Sequence, residues 1–172
     1  MPAEETHFEP QIVAFCCRHC AYAAADLAGS TRLRYPTSLK IVELPCTGRA
    51  DMLHLLRTFE DGADGVLVAG CLPGTCHYIK GNLHARQRVD YVRELLADIG
   101  IERERLRMVN VSAAMGARFA ELATELVETV QKLGPNPAAG GRRGRTLELG
   151  IPGGTAGAPS SCSHTHHPEV ES

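Results

Sequence analysis

Seven cysteines stand among 172 residues, and six of them fall in three short stretches: Cys16-Cys17-Arg18-His19-Cys20, Cys46-Thr47-Gly48-Arg49, and Cys71-Leu72-Pro73-Gly74-Thr75-Cys76. The seventh, Cys162, lies beside His164, His166 and His167. Thiolates are nucleophiles, redox couples and soft metal ligands. Cys17 and Cys20 form a C-x-x-C at the expected mouth of a helix, where amides stabilise thiolate by roughly 0.3–1 kcal/mol per charge. Cys46 sits beside a Gly turn and a guanidinium. Cys71 and Cys76 form a C-x4-C bent by Pro73-Gly74, with His77 adjacent. Structural zinc sites favour two tight pairs, and only one is present here. Plant-type [2Fe–2S] sites combine a C-x4-C loop with separate cysteines, so an iron–sulfur cluster fits at least as well. Thiol–disulfide exchange or redox sensing by Cys17 and Cys20 is the third chemistry, and a zinc-stabilised interaction module the fourth reading. An exchanger needs two thiols, and more than two gather here.

Placing these thiols together requires a particular set of elements. Ile12–Phe15 is a short apolar run, the mark of a strand buried on both faces. Ala21–Ala28 reads as a helix closed by Gly29, and residues 30–38 as a polar loop. Leu39–Leu44 reads as a second strand, and Met52, Leu53, Leu55, Leu56 and Phe59 share one helical face. Val66–Ala69 follows the turn Asp61–Gly65 as a third strand, and residues 82–99 repeat apolar side chains at helical spacing. Leu106–Val111 reads as a fourth strand, and Ser112 as the N-cap of a helix reaching Leu133, stopped by Gly134-Pro135. Four strand–helix alternations predict an α/β fold: an open, mostly parallel four-stranded sheet with flanking helices, Rossmann- or flavodoxin-like. Six cysteines then follow the carboxyl ends of the first three strands, along the edge where such sheets place ligands. Cys16 reads as a small buried hydrophobe pointing away from Cys17. Residues 1–10 form a polar lead-in and 11–134 the α/β domain. Residues 135–172 form a flexible Gly/Pro/His-rich tail that includes Arg142-Arg143-Gly144-Arg145.

Composition removes whole classes of function. With 18 basic and 20 acidic residues the formal charge is −2, which leaves no basic excess for nucleic acid. No apolar run approaches the roughly 18 residues of a membrane span. The acidic start lacks a signal-peptide pattern, which predicts a cytoplasmic, reducing setting where clustered cysteines serve metal or redox chemistry. His77 stands where a phosphatase loop from Cys71 needs arginine, and no G-x-G-x-x-G, P-loop or G-x-S-x-G follows a strand. The chain reads as a carrier without a substrate-turnover site of its own.

Three motifs in order carry a family resemblance. Phe15-Cys16-Cys17-Arg18-His19-Cys20 through Gly29, Pro45-Cys46-Thr47-Gly48-Arg49, and Gly62–Cys71 followed by Pro73-Gly74, Cys76–Ile79 and Gly81-Asn82 resemble the methyl-viologen-reducing hydrogenase delta subunit family over residues 11–134. Arg18-His19 stands where that family's pattern has Asn-Trp. The resemblance implies an iron–sulfur electron-transfer subunit carrying one [2Fe–2S] cluster within a hetero-oligomeric complex, often an electron-bifurcating one. It implies a hydrogenase, or a formate or other dehydrogenase, on one side and a heterodisulfide-reductase-A-like flavoprotein on the other. It makes Cys17, Cys20, Cys46, Cys71 and Cys76 the ligand candidates, one more than the four a [2Fe–2S] cluster takes.

Overall fold

The computed structural model describes residues 8–139. The expectations for residues 1–7 and 140–172, Cys162 among them, lie outside the described residues. Four parallel strands, β1 (Ile12–Cys17), β2 (Leu39–Leu44), β3 (Gly65–Gly70) and β4 (Leu106–Asn110), form one sheet in the order β2-β1-β3-β4. Helices α1 (Ala23–Ser30), α2 (Met52–Glu60), α3 (Gly81–Asp98) and α4 (Gly116–Leu133) cover its two faces. This is the expected open parallel α/β architecture.

Strand alternation divides the interior. Ile12, Ala14, Cys16, Leu67 and Ala69 point to one core, with Phe119, Ala123 and Val127 of α4 and Ala24 of α1. Phe15, Val66 and Val68 point to the other, against Leu55 and Phe59 of α2 and Val89, Val92 and Leu96 of α3. Every residue of β3 is buried, which explains its uninterrupted apolar sequence. Cys16 is fully buried within the first core, as expected for a packing residue.

Several local expectations shift. β1 continues through Cys17 because the ladder to β2 extends to Cys17–Leu44, and that to β3 reaches Cys16–Ala69. The next segment, Arg18–Tyr22, is a π-helical turn that precedes α1, and Gly29 lies inside α1. α4 starts from Met115, not from Ser112, because Ser112–Met115 closes a turn (Met115 N to Ser112 O, 3.0 Å). Gly116 then sits so close to α1 that a Cβ would lie 3.0 Å from Ala28 N, and this contact fixes where α4 begins. Leu53 and Ile99 face solvent, at 60% and 67% exposure. Leu53 falls off the Leu55–Phe59 stripe, and Ile99 caps α3 beyond its last turn.

The amino edge of the sheet is locked by polar groups. Arg105, wholly buried, donates to the carbonyls of Asp64 (3.1 Å), Leu133 (3.3 Å), Gly134 (2.8 Å) and Pro135 (3.4 Å) and pairs with Glu102 (2.6 Å). It thereby satisfies carbonyls that the end of α4 leaves open. The Asp64 carboxylate accepts from Gln11 N and Asn136 N, both at 2.9 Å. Asn136 in turn donates to Phe59 O (3.0 Å) and Ala63 O (2.9 Å), so residues 135–139 pack against the domain. Replacing a buried charge of this kind leaves several acceptors stranded. Arg105→Met should lower unfolding free energy by about 3–5 kcal/mol in urea titrations, whereas Arg118→Ala, on an exposed pair, should leave the midpoint unchanged.

Candidate metal centre

The sheet order reverses between β1 and β3, and the crevice beyond their carboxyl ends is where this architecture seats ligands. Cysteines occupy that crevice. Cys17 ends β1, and Cys71 is the first residue after β3; their sulfurs stand 3.8 Å apart. The π-helical turn adds Cys20, and the ligand atoms of Cys17, Cys20 and Cys71 all lie within 4.8 Å of one another. π-turns are rare and concentrate at functional sites; this one folds a two-residue spacer so that both thiols of the C-x-x-C reach one point. The three sulfurs can hold a metal ion.

Cys46 and Cys76 lie on the two neighbouring loops. Cys46 follows β2 and Cys76 closes the C-x4-C loop, and the two thiols influence each other's titration. Both sulfurs rest over the start of α3. A Cβ on Gly81 would run into Cys46 Sγ and lie 3.3 Å from Cys76 Sγ, so only glycine leaves room for them. All six cysteines of the described residues are free thiols, and Cys76 is the one that is not fully buried. The structure thus brings Cys17, Cys20 and Cys71 together, sets Cys46 and Cys76 side by side at the start of α3, and buries Cys16 in the core.

Backbone amides point at most of these sulfurs. Gly48 N–H donates to Cys46 Sγ at 3.3 Å. Burial raises the Cys76 pKa, but the N–H groups of Asn82, Tyr78 and Gly81, with the Cys46 thiol, outweigh it and hold the group below its ordinary value. Cys17 drops to about 5, first because the Cys20 thiol donates to it and then because His19 N–H and the Cys71 thiol do so as well. Cys20 is pushed upward by the same bond, which its protonated form supplies, and by burial. Burial is the main cause that raises Cys46 and Cys71. Cys16, buried without a donor, goes up to about 12. Among these six thiols, Cys17 and Cys76 are lowered and Cys16, Cys20, Cys46 and Cys71 are raised.

The loops carrying the thiols are tied by side chains of neighbouring elements. Asn82 Nδ2 donates to the carbonyls of Cys71 (3.0 Å) and Leu72 (3.1 Å), and Asn110 Nδ2 donates to Cys71 O (2.5 Å). Asn82 Oδ1 is buried with no partner. Arg18 pairs with Glu43 and tethers the C-x-x-C turn to β2. His19 and His77 stack with ring centroids 4.1 Å apart, and Tyr78 packs edge-on to His77 at 5.2 Å. The available sequence signal was Gly81-Asn82 directly before an apolar helical period: a cap-type asparagine behind a glycine that a helix start does not itself require.

Fold and site together define a small α/β module built to present thiol ligands at the crevice of a parallel sheet. The chain belongs to the methyl-viologen-reducing hydrogenase delta subunit family, whose profile matches residues 12–134. It is 46% identical over 129 residues (75% of this chain, 96% of the relative) to the F420-non-reducing hydrogenase vhu iron-sulfur subunit, the D component, of Methanocaldococcus jannaschii. It is 45% identical over 128 residues (74% and 93%) to the corresponding F420-non-reducing hydrogenase iron-sulfur subunit of Archaeoglobus profundus. It is also 44% identical over 126 residues, 73% of this chain, to the A component of the ferredoxin/F420H2-dependent CoB-CoM heterodisulfide reductase of Methanosarcina acetivorans, where the match covers 16% of that protein.

The glycine cradle gives a direct test of the centre. Gly81→Ala should displace the Cys46 sulfur and sharply reduce bound metal per chain, measured by elemental analysis, with an unchanged far-ultraviolet circular dichroism spectrum. Gly29→Ala, in open space on α1, should keep full metal content and gain about 0.5 kcal/mol of stability.

Proposed function

We propose that this protein is the [2Fe–2S] electron-transfer subunit of a cytoplasmic redox complex. It relays electrons between a hydrogenase, or a formate or other dehydrogenase, and a heterodisulfide-reductase-A-like flavoprotein. The observation that carries this reading is the convergence of five cysteines from three strand ends on one crevice. The donor set is all-thiol, and its two halves suit a two-iron cluster, in which each iron takes two thiolates. Cys46 and Cys76 would hold one iron, and Cys71 with either Cys17 or Cys20 the other, leaving one of the C-x-x-C pair spare. Relatives named as hydrogenase iron-sulfur subunits, and one named as the A component of a heterodisulfide reductase, support the two partners. No helix among the described residues is long and apolar enough to cross a membrane.

The cluster, when bound, supplies one-electron transfer without making or breaking a bond to substrate. The protein's own residues do the rest. Amides of Gly48, Tyr78, Gly81 and Asn82 stabilise negative charge on the sulfurs and thereby favour the reduced state. Cys17, Cys20 and Cys71, fully buried on the sheet, keep water from their side of the centre, while Cys76 opens toward solvent. Asn82 and Asn110 hold Cys71 in place, which limits rearrangement when charge changes.

Anaerobically purified protein should contain about two iron and two acid-labile sulfide per chain. Stoichiometric zinc without sulfide would overturn the reading in favour of a zinc-stabilised module. Metal-free protein with a reversible Cys17–Cys20 disulfide would replace it with an exchanger. Cys71→Ser should abolish the visible absorption, and Cys16→Ala and Cys162→Ser should retain it.

A further inference from the structure

Beside Cys46 opens a cavity of about 350 Å³ lined by Arg49, Tyr78, Lys80 and His84, with no carboxylate in its wall. We propose that this cationic lip is the docking site for an acidic face of a protein redox partner, with Tyr78 and Ile79 as its apolar contact. The inference rests on the electron-transfer reading and specifies how a partner would reach the centre.

Three observations carry it. First, the charges on the lip are uncommitted. Arg49 and Lys80 are among the described basic residues that form no ion pair. Arg49, Lys80 and His84 are all exposed. The chain as a whole carries −2, so this is a local excess of positive charge at one end of a slightly acidic molecule. Second, apolar surface adjoins the charge. Tyr78 is 53% and Ile79 79% exposed. Ile79 adopts φ 63°, a left-handed conformation that β-branched side chains disfavour. Short backbone bonds hold it there (Ile79 N to Cys76 O 2.9 Å, Lys80 N to Tyr78 O 2.7 Å), so the strain serves to present an apolar side chain outward. Third, the location is right. Cys76, the least buried of the five thiols, lies in the same loop, and Cys46 lines the cavity itself. A partner seated here approaches the most accessible sulfurs of the centre.

Such a patch suits a protein surface carrying several carboxylates. Opposed charges steer encounter and set orientation, and the central apolar contact excludes water. A free inorganic anion would use the charges but not Tyr78 and Ile79.

The test uses the cluster-loaded chain with each of two purified partners from the same cells, the heterodisulfide-reductase-A-type flavoprotein and the hydrogenase. Binding of at least one to wild type should weaken about tenfold between about 0.05 and 0.3 M salt. Arg49→Glu with Lys80→Glu should weaken it a hundredfold or more at low salt and remove the salt dependence. Arg49→Gln with Lys80→Gln should fall between, and Ile79→Ala should weaken binding without altering its salt slope. In all variants visible absorption and reduction by dithionite should stay as in wild type. Unchanged affinity for both partners in the reversal variant would overturn the proposal. So would saturable binding of inorganic phosphate to the lip that leaves partner affinity untouched. Absence of a cluster in wild type would instead sink the electron-transfer reading, while the binding series would still decide the docking site.

Discussion

The constraint on which this structure turns is the mutual repulsion of five closely spaced sulfurs. Thiolates 3.8 Å apart in a largely buried crevice cannot all ionise unless something of opposite charge joins them. Among themselves the thiols settle the conflict with protons: Cys20 keeps its own and donates to Cys17, which goes down to about 5, and burial raises Cys46 and Cys71. A cation-bearing cofactor resolves the same conflict by replacing shared protons with metal bonds. Cys17, Cys20 and Cys71 thereby form a cage that could hold a metal ion.

Much of the surrounding design follows from holding that cage open. Close approach of Cys46 and Cys76 to the start of α3 needs Gly81, and close approach of the two loops brings Gly48 to where a Cβ would lie 3.0 Å from the Gly81 Cα. The Cys71 carbonyl is held by two asparagine amides, and Asn82 gives up a partner for its own buried oxygen. An unsatisfied buried acceptor costs about 1–3 kcal/mol. The carboxyl edge thus sacrifices stability for geometry, with Ile79 in a left-handed conformation as a second instance. The amino edge does the reverse. There Arg105, Asp64 and Asn136 saturate one another and close the ends of β3, β4 and α4.

This division explains what the sequence made legible. Buried β3 announces itself as Val66-Leu67-Val68-Ala69, and Leu39–Leu44 is a strand with its expected bounds. Parallel topology follows from strand–helix alternation, and with it the placement of cysteines from distant loops on one edge. The departures occur where tertiary contact overrides local preference. Ser112 has good N-cap chemistry, yet the Gly116–α1 contact moves the start of α4. A C-x-x-C before an alanine run suggests an ordinary helix start, yet gathering Cys17, Cys20 and Cys71 requires a π-turn. The division of five thiols into a trio and a pair has no local signal at all, because it depends on how β2, β3 and α3 approach one another.

The split between a stable edge and a functional edge also accounts for where this module occurs. A 126-residue match makes up 16% of the much longer heterodisulfide reductase A component, whereas the hydrogenase iron-sulfur subunits are covered almost end to end. The domain's own residues close its amino edge: Asn136, just past α4, is sealed onto Phe59, Ala63 and Asp64, and Arg105 caps the helix that leads to it. Chain entry at Gln11 is pinned to Asp64 at the same edge. Both ends of the domain thus leave from the side opposite the cysteines.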